Sequence, residues 1–344
     1  MRLHNIESHL RSEVLVSDPV MIEYLIGCRF HPGERFLGLL VKPSGSVLFL
    51  NSLFPVENPG LDIVRFTDDQ DPLLLVAQRI SGDTLHVDHS LASGFLLGLM
   101  QRLPLVSYRV DALLDQLRSV KSSDELSKMR AASQLNDAVM AKVPALLVPG
   151  VTERAVHDQV LAWFDKLSDG VSFDPIIAFG DHAADPHAVS GDRILREGDG
   201  VVVDIGCVLN GYCSDMTRTF FVGHNPMEKE YDLVLAANRK AIAAVKPGVL
   251  LSEIDHAARS VIRAGGYGDA FVHRTGHGIG SSVHEPYPVS ASSTVRCVPG
   301  MIFSIEPGLY VEGRGGIRIE DLVVVTEDGC DVLNAYPKDD PVLK

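Results

Sequence analysis

Two runs of apolar and β-branched residues flank an Asn-Gly dipeptide near the middle of the chain. The runs cover residues 200–209 and 212–222, and the dipeptide is Asn210-Gly211. This arrangement is typical of a β-hairpin with a two-residue turn. Such a turn pairs Leu209 with Tyr212, so both runs are predicted to be strands.

Two aspartates share one face of the predicted hairpin. The register places Asp204 opposite Thr217. Because side chains alternate with period two, Asp215 lies diagonal to Asp204 on the same face. Two carboxylates on a buried face repel each other and are costly to desolvate unless a cation lies between them. The pair indicates either a cation site or two solvent-facing charges at a hairpin edge.

Helical periodicity and strand-like runs fill the rest of the second half. A capping box, Ser122-Ser-Asp-Glu125, begins a helix that Pro149-Gly150 ends, and Thr152 caps the next helix. In the last predicted strand, alternation places Arg318 and Glu320 on one face. The other predicted elements are helices over 153–167, 228–245 and 251–264, and strands over 171–179, 301–305, 308–311 and 317–325.

The first part of the chain mixes shorter apolar runs with helical patterns. Residues 36–41 and 46–50 bracket Pro43-Ser-Gly45 and predict a second hairpin. A strand over 84–87 and helices over 91–103 and 111–120 are also predicted. We therefore predict an α/β domain over 1–118 and an α+β domain over 119–344. Two domains fit the usual ~100–200 residues per domain.

Composition narrows the class of protein. A formal net charge of −14 argues against a nucleic-acid-binding protein, which normally carries a basic face. The five cysteines contain no CxxC pair, which fits a reducing compartment and excludes a cysteine zinc site. No apolar run approaches the ~20 residues of a membrane span, and the N-terminus lacks a signal-peptide core. We expect a cytoplasmic protein that binds neither nucleic acid nor membrane.

A histidine lies between glycines in Gly276-His-Gly-Ile-Gly280. The segment is not G-x-G-x-x-G and the chain has no Gly-Lys-Ser/Thr, so phosphate binding is not predicted. Alone, His277 is either a loop histidine or a ligand. Glu306 and Glu320 occupy strand positions, where a lone glutamate is usually an edge charge.

The combination of these acids and this histidine favours a metal centre. Oxygen ligands with one nitrogen suit Mn²⁺, Co²⁺, Fe²⁺ or Zn²⁺. Four negative charges match two divalent cations, and five side chains leave open positions for a shared water whose pKa the cations lower. The candidate ligands are four carboxylates and one imidazole: Asp204, Asp215, His277, Glu306 and Glu320.

The motifs around these residues resemble those of the pita-bread metallopeptidases, the family of methionine aminopeptidase, aminopeptidase P and prolidase. The resemblance covers most of the chain. It implies a pita-bread catalytic domain over 119–344, preceded by a smaller creatinase-like α/β domain over 1–118, and it implies the five candidates as metal ligands. The matching segments are the Asp204 strand, Ser214-Asp-Met-Thr-Arg-Thr219, Gly276-His-Gly-Ile-Gly280, Glu306-Pro-Gly308 and Arg318-Ile-Glu-Asp321.

Three further histidines resemble those of the proline-specific branch of the family. His187 follows Asp185-Pro186, His273 lies in Val272-His-Arg-Thr-Gly-His277, and His284 begins a His-Glu-Pro segment. Each is otherwise a surface or core histidine. The resemblance implies His187 as a substrate-binding residue and the other two as active-site imidazoles.

The resemblance implies a peptidase that hydrolyses the Xaa-Pro bond, above all of dipeptides, by a metal-bridging hydroxide. Glu306 would take the proton of the bridging water, and His284, with His273, would stabilise the oxyanion. Arg318 would either hold a ligating carboxylate or bind the substrate's C-terminal carboxylate. Two divalent ions are implied, with Mn or Co favoured over Zn or Fe, and a homodimer is expected.

Three alternatives remain within the resemblance. An aminopeptidase P acts on longer Xaa-Pro peptides, a non-catalytic pita-bread scaffold binds peptides, and creatine-hydrolysing relatives use the fold without metal. The last two kinds of relative typically lack the metal ligands, whereas all five are present here. They are therefore disfavoured, and the choice between dipeptidase and aminopeptidase depends on how far the pocket extends beyond the proline.

Overall fold

The structure is a computed structural model that describes residues 2–7, 10, 12–56, 60–110 and 113–343. The chain divides into two compact units, Met1–Leu114 and Asp115–Lys344. None of the helices in the described part of the chain has both the length and the hydrophobicity needed to cross a bilayer.

The first unit is a six-stranded mixed sheet with helices. Val14 and Val16 of its first strand pack into one apolar core and Leu15 packs into another, as strand alternation requires. The strand order is β4-β3-β2-β1-β5-β6. The strands are β1 (Glu13–Val16), β2 (Leu37–Val41), β3 (Val47–Asn51), β4 (Asp62–Phe66), β5 (Thr84–Val87) and β6 (Ser107–Val110), and the helices are α1 (Arg2–Glu7), α2 (Pro19–Ile26), α3 (Pro72–Ala77) and α4 (Ser93–Arg102).

Most local predictions for the first part of the chain are confirmed. The predicted hairpin is β2–β3, in which Leu40 pairs with Val47. The predicted strand over 84–87 is β5, and the helix over 91–103 is α4. The helix over 111–120 corresponds to α5 (Leu113–Ser119), while positions 111–112 lie outside the described residues.

Four long helices lie in the second unit. The Ser122–Glu125 capping box is present, and Thr152 caps the next helix as predicted. The first of these helices ends at Met140, earlier than predicted, and a 3-10 turn over Val143–Leu146 follows. Pro144 explains the early end, because proline lacks an N–H and its ring clashes with the carbonyl four residues before it. The helices are α6 (Ser123–Met140), α7 (Glu153–Leu167), α8 (Glu228–Ala244) and α9 (Leu251–Ala264).

The strands of the second unit form four sheets. Their orders are β11-β10-β7, β20-β12-β9-β8, β14-β13-β15-β18-β19 and β16-β17. The strands are β7 (Gly170–Val171), β8 (Ile176–Phe179), β9 (Gly200–Ile205), β10 (Cys207–Leu209), β11 (Tyr212–Cys213), β12 (Met216–Val222), β13 (Gly276–Gly278), β14 (Glu285–Val289), β15 (Ile302–Ile305), β16 (Gly308–Val311), β17 (Gly315–Arg318), β18 (Asp321–Val325), β19 (Cys330–Val332) and β20 (Val342–Leu343).

Helices cover one side of the two larger sheets. One apolar core lies between α6–α7 and the sheet that contains β9 and β12, and another lies between α8–α9 and the sheet that contains β15 and β18. Val201, Val203 and Ile205 of β9 pack into the first core. Asp204, between them in sequence, therefore points to the opposite face. The α+β class predicted for this half is confirmed.

The central hairpin has the predicted register but is divided between two sheets. Asn210 and Gly211 both have positive φ, of 53° and 76°, and Leu209 pairs with Tyr212. Thr217 pairs with Asp204 in the neighbouring sheet. The break falls at Ser214, whose Oγ accepts the N–H of Cys207 at 2.9 Å. The segment around Asp215 thus leaves the ladder before β12 begins.

The strand predicted over 317–325 is wrong at its centre. It is two strands, β17 and β18, separated by Ile319 and Glu320. The N–H of Glu320 donates to the carbonyl of Thr217 at 3.1 Å. This contact with a distant strand takes the backbone out of its own ladder, and no local pattern predicts it.

Candidate active site

A cavity of about 550 Å³ lies in the second unit. All nine residues selected from the sequence line it, together with six others. The nine are Asp204, Asp215, His277, Glu306, Glu320, His187, His273, His284 and Arg318; the six are Phe173, Asp174, Ile176, Pro186, Arg274 and Val283.

His277 lies on β13, a strand pressed between two neighbours. A Cβ at Gly276 would lie 1.8 Å from the carbonyl oxygen of Ser304, and one at Gly278 would lie 2.4 Å from that of Pro286. Neighbouring backbones approach β13 closely from either side, and they leave no room for a Cβ at either flanking position. The packing of the backbone, and not a ligand, therefore requires both glycines. This packing holds the imidazole at the cavity wall.

The imidazole of His277 faces two acids. Its Nδ1 lies 3.1 Å from the carbonyl of Gly278, which can only accept, so Nδ1 carries the proton. Its Nε2 lies 3.5 Å from Asp215 Oδ2 and 3.5 Å from Glu306 Oε1. Burial, followed by the neighbouring His284, lowers the pKa of His277 to about 3. The ring is neutral at physiological pH, and its lone pair points at the carboxylates.

The two glutamates come from different strand ends. Glu306 follows β15, and Ser304 Oγ donates to its Oε1 at 3.3 Å. Glu320 lies between β17 and β18, and Thr217 Oγ1 donates to its Oε2 at 2.8 Å. Ligand atoms of Asp215, His277 and Glu320 all lie within 4.8 Å of one another. Such spacing allows three side chains to bind the same cation.

The carboxylates of the cluster repel one another. Burial, and then repulsion from neighbouring acids, raises the pKa values of Asp215 and Glu320 well above their ordinary range. Burial raises the pKa of Glu306 to about 7, with Arg318 opposing the shift and Asp204 adding to it. A cluster of buried carboxyl groups with raised pKa values is expected at a site where bound cations neutralise the carboxylates.

Three carboxylate oxygens test whether the cluster fits metal ions. Asp204 Oδ1, Asp215 Oδ1 and Glu320 Oε1 are buried, and no donor among the described residues reaches them. A buried unsatisfied oxygen costs about 1–3 kcal/mol, and more when charged. The second oxygen of Asp204 and of Glu320 is hydrogen-bonded to protein. These three residues line the same cavity as the neutral imidazole of His277, so this donor set fits divalent cations.

Arg318 is fully engaged in the wall of the cavity. Its Nη2 donates to Asp204 Oδ2 at 2.7 Å, and its Nε donates to Thr217 Oγ1 at 3.1 Å. Its Nη1 donates to Tyr310 Oη at 2.7 Å and to the carbonyl of Pro186 at 3.3 Å. Of the two roles considered for Arg318, this geometry matches the holding of a carboxylate. That carboxylate is Asp204, and not the neighbouring Glu320.

His273 is tied into the same chain of hydrogen bonds. Its Nδ1 lies 2.7 Å from the carbonyl of Arg274, so Nδ1 is the donor. Its Nε2 lies 2.9 Å from Tyr310 Oη, which therefore donates to it. Burial lowers the pKa of His273 to about 4. Asp204, Arg318, Tyr310 and His273 thus form one connected path along the wall.

The other two histidines are more accessible. His284 stacks edge-to-face on His277 with ring centroids 4.3 Å apart. Burial and the charge of Arg274 lower the pKa of His284. His187 lies on the loop after β8 and is exposed, and its N–H donates to Asp185 Oδ1 at 2.9 Å. Both side chains line the cavity, and neither ring is hydrogen-bonded to another of the described residues.

Several site residues escaped the sequence analysis. The predicted hairpin register places Thr217 opposite Asp204, and this register is the one sequence signal that could have identified Thr217 as a site residue. Tyr310 carries no local signal, because its role depends on contacts with His273 and Arg318. Arg274 is exposed at the cavity, and within the described part of the chain it makes no side-chain hydrogen bond or ion pair.

Known proteins share this sequence and fold. The profile of metallopeptidase family M24 matches residues 127–327. An uncharacterized peptidase of Staphylococcus aureus (strain MSSA476) is 38% identical over 338 residues, which is 94% of each chain. The crystal structure of dipeptidase PepE from Mycobacterium ulcerans has a TM-score of 0.93 at 36% identity, over 99% of this chain and 97% of that chain. The crystal structure of a recombinant prolidase from Thermococcus sibiricus has a TM-score of 0.90 at 29% identity, over 99% of this chain and 98% of that chain.

Proposed function

The chain belongs to metallopeptidase family M24, and we propose that it hydrolyses the Xaa-Pro bond of dipeptides at a centre of two divalent metal ions. It is a hydrolase with the pita-bread fold and a preceding N-terminal domain, as its similarity to full-length dipeptidase and prolidase structures shows. The number of ions, their ligands and the preference for proline are the parts that we propose.

The observation that carries the proposal is a set of buried, orphaned carboxylate oxygens on residues that line the same cavity as His277. Asp204, Asp215, His277, Glu306 and Glu320 would hold the ions, since four carboxylates balance two divalent charges. When bound, a pair of such ions polarises a substrate carbonyl and lowers the pKa of a water molecule. No cysteine is among the described residues that line the cavity, so the donor set favours Mn²⁺ or Co²⁺ over a thiolate-bound zinc site.

We assign the proton transfer to Glu306. Its Oε1 and Oε2 face His277 Nε2 at 3.5 Å and His273 Nδ1 at 4.0 Å. A carboxylate at this position can accept the proton of the attacking water and return it to the leaving imino nitrogen. The burial that raises its pKa also shields it from bulk solvent.

We assign the stabilisation of the developing negative charge to His284. Its lowered pKa keeps the ring neutral, so that one ring N–H can donate to the oxyanion. Both nitrogens of His273 are already occupied, by Tyr310 and by the Arg274 carbonyl. We assign His273 to the support of Tyr310 and Arg318, and the direct contact to His284.

The preference for a short proline substrate has separate support. His187 projects beside Pro186 at the cavity, where it can contact the proline end of a dipeptide. Arg274 supplies a cation for the free C-terminal carboxylate, which Arg318 cannot do while it binds Asp204. A cavity of about 550 Å³ is within the range of small-ligand sites.

Release of free proline tests the proposal. The enzyme loaded with Mn²⁺ or Co²⁺ should cleave Xaa-Pro dipeptides, act poorly on Xaa-Pro-Yaa-Zaa and leave Xaa-Ala-Yaa intact. Chelator-treated enzyme is the control, and metal should restore its activity. A higher kcat/KM for the tetrapeptide would move the assignment to aminopeptidase P. Cleavage of Met-Ala-Yaa with high efficiency would overturn the preference for proline.

A further inference from the structure

Asn238 lies behind the proposed metal centre, on α8, and is not among the residues that line the cavity. It is fully buried. Its Nδ2 lies 3.1 Å from the carbonyl oxygen of Ile305 and 3.3 Å from that of Ile319. These two isoleucines immediately precede Glu306 and Glu320. One amide group therefore connects the backbones that carry both glutamates.

The orientation of Asn238 is fixed by a buried ion network. Lys338 Nζ donates to Asn238 Oδ1 at 2.8 Å and also pairs with Asp321. The Nδ2 of Asn238 lies 3.2 Å from Asp321 Oδ2. On the other side, Arg218 Nη2 donates to Asp321 Oδ1 at 2.8 Å, and its Nη1 donates to the carbonyl of Glu320 at 2.6 Å. The amide therefore cannot rotate without breaking charged contacts.

Such a brace is needed because the glutamates lie where regular strands end. Glu306 follows the last residue of β15, and Glu320 lies between β17 and β18. Neither residue is held by a continuous ladder. Their carboxylates also repel the other acids of the cluster. The hydrogen bonds from Asn238 to the preceding carbonyls hold the two backbones together.

Two other buried asparagines make similar contacts at the aspartates. Asn136 Nδ2 donates to the carbonyl of Ile205, next to Asp204, at 2.8 Å. Asn334 Nδ2 donates to the carbonyl of Asp215 at 3.1 Å. Four of the five proposed ligands thus have an asparagine amide on their own or an adjacent carbonyl. Among the asparagines of the described residues, only Asn238 connects two of them.

We propose that Asn238 is a positioning residue that sets the separation of Glu306 and Glu320, and that metal affinity depends on it. The inference rests on the proposed metal centre. Asn238 would touch neither metal nor substrate, because it acts through the backbones that carry the two glutamates. Loss of groups that orient metal ligands typically weakens metal binding by about 10–100-fold. We expect Asn238→Leu, which is similar in size, to fall in that range.

Titration with Co²⁺ alone measures this effect without relying on activity. Binding affinity and the visible absorption of bound Co²⁺, which reports coordination geometry, are compared in wild type and Asn238→Leu. The matched control is Asn225→Leu. Asn225 is also buried; its Nδ2 donates to the carbonyl of Gly198 at 2.7 Å, and its Oδ1 accepts from Met227 N at 2.8 Å. Thermal melting of the metal-free proteins records the stability that each variant loses.

The expected result is a weaker affinity and an altered Co²⁺ spectrum in Asn238→Leu only, with similar losses of melting temperature in both variants. Wild-type affinity in a folded Asn238→Leu, or an equal loss in both variants, overturns the inference. If Asn238→Leu does not fold, Lys338→Met provides the test, because loss of the ammonium group leaves the Asn238 amide free to rotate. A loss of Co²⁺ affinity in Lys338→Met, smaller than the ~10–100-fold expected for Asn238→Leu, supports the inference. An unchanged Co²⁺ affinity in Lys338→Met overturns it. If wild type itself fails to bind Co²⁺, the proposed function fails first.

Discussion

Arg318 Nη2 donates to Asp204 Oδ2 at 2.7 Å, and the two side chains are only 4% and 11% exposed. The other oxygen of Asp204 has no donor among the described residues. The aspartate is thus held on one side by a fixed guanidinium and is open on the other side to the cavity. This relationship makes Arg318 part of the proposed metal centre and removes it as a free cation for substrate.

Arg318→Met should therefore weaken metal binding. Without the guanidinium, Asp204 is no longer oriented, and we expect metal affinity to fall by about 10–100-fold. Arg318→Lys should recover little, because an ammonium cannot reproduce the planar set of bonds to Asp204, Thr217 and Tyr310. Equilibrium dialysis with Mn²⁺ measures the change. A variant with normal metal content and a raised KM for free dipeptides alone would return Arg318 to substrate binding.

Arg274 should discriminate between charged and neutral C-termini. Hydrogen bonds to charged groups contribute about 1.5–3 kcal/mol, so Arg274→Met should raise KM for Gly-Pro by about tenfold or more. KM for Gly-Pro amide should hardly change, because that substrate has no carboxylate. Arg296→Met is the matched control, since Arg296 is exposed but does not line the cavity. Equal changes for the two substrates would contradict the role.

Local signals predicted much of the fold. The helix after Thr152 has its predicted bounds because an N-cap and helical periodicity both lie within the segment. The Asn210-Gly211 turn fixes the register of Asp204 and Thr217, because turn geometry determines strand pairing. The resemblance of the motifs identified nine candidate residues, and all nine line one cavity in the structure.

What the sequence did not predict depends on contacts between distant segments. The break at Glu320 follows from a hydrogen bond to Thr217, which is far away in the chain. Tyr310 and Asn238 are ordinary strand and helix residues until tertiary structure places them against Arg318 and the Ile305 carbonyl. Propensity and periodicity report on neighbours in sequence, so they carry no information about such partners.

Asp215→Asn should abolish hydrolysis and yet stabilise the metal-free protein. A neutral amide cannot supply the bridging charge that two cations need. Without cations, however, the substitution removes one of several buried, mutually repelling carboxylates. Melting of chelator-treated proteins should show a higher melting temperature for the variant, with no further rise on addition of Mn²⁺. Ordinary activity would show that Asp215 is not a metal ligand.

His284→Ala should lower kcat by about 10²–10³, the loss seen when one oxyanion donor is removed. The residue is exposed and contacts the ring of His277, so the fold should survive its truncation. Metal content should stay near that of wild type, because the proposed ligands are intact. Steady-state kinetics with metal analysis of the same sample checks both statements. Unchanged kcat would assign His284 to packing against His277.

The stability of the metal-free enzyme should fall as pH rises. Burial and repulsion raise the pKa values of Asp215 and Glu320, and burial raises that of Glu306 from an ordinary 4.5 to about 7. A carboxyl with a raised folded pKa contributes stability that is complete below its unfolded pKa and is lost as pH passes the folded pKa. The histidines of the site, whose pKa values are lowered, oppose this trend until they are neutral in the unfolded chain as well. The chelator-treated protein should therefore melt at lower temperatures as pH increases from about 7 to 8.

Bound cations should remove this dependence, because they replace the protons that the metal-free cluster retains. Metal-loaded enzyme should consequently show a flatter profile over the same range and release protons on metal addition in weak buffer. Glu320→Gln without metal should also flatten the profile, since one of the titrating groups is gone. Melting curves at several pH values in matched ionic strength provide the measurement. A metal-free melting temperature that rises toward pH 8 would mean that these carboxylates are already neutralised by protein groups.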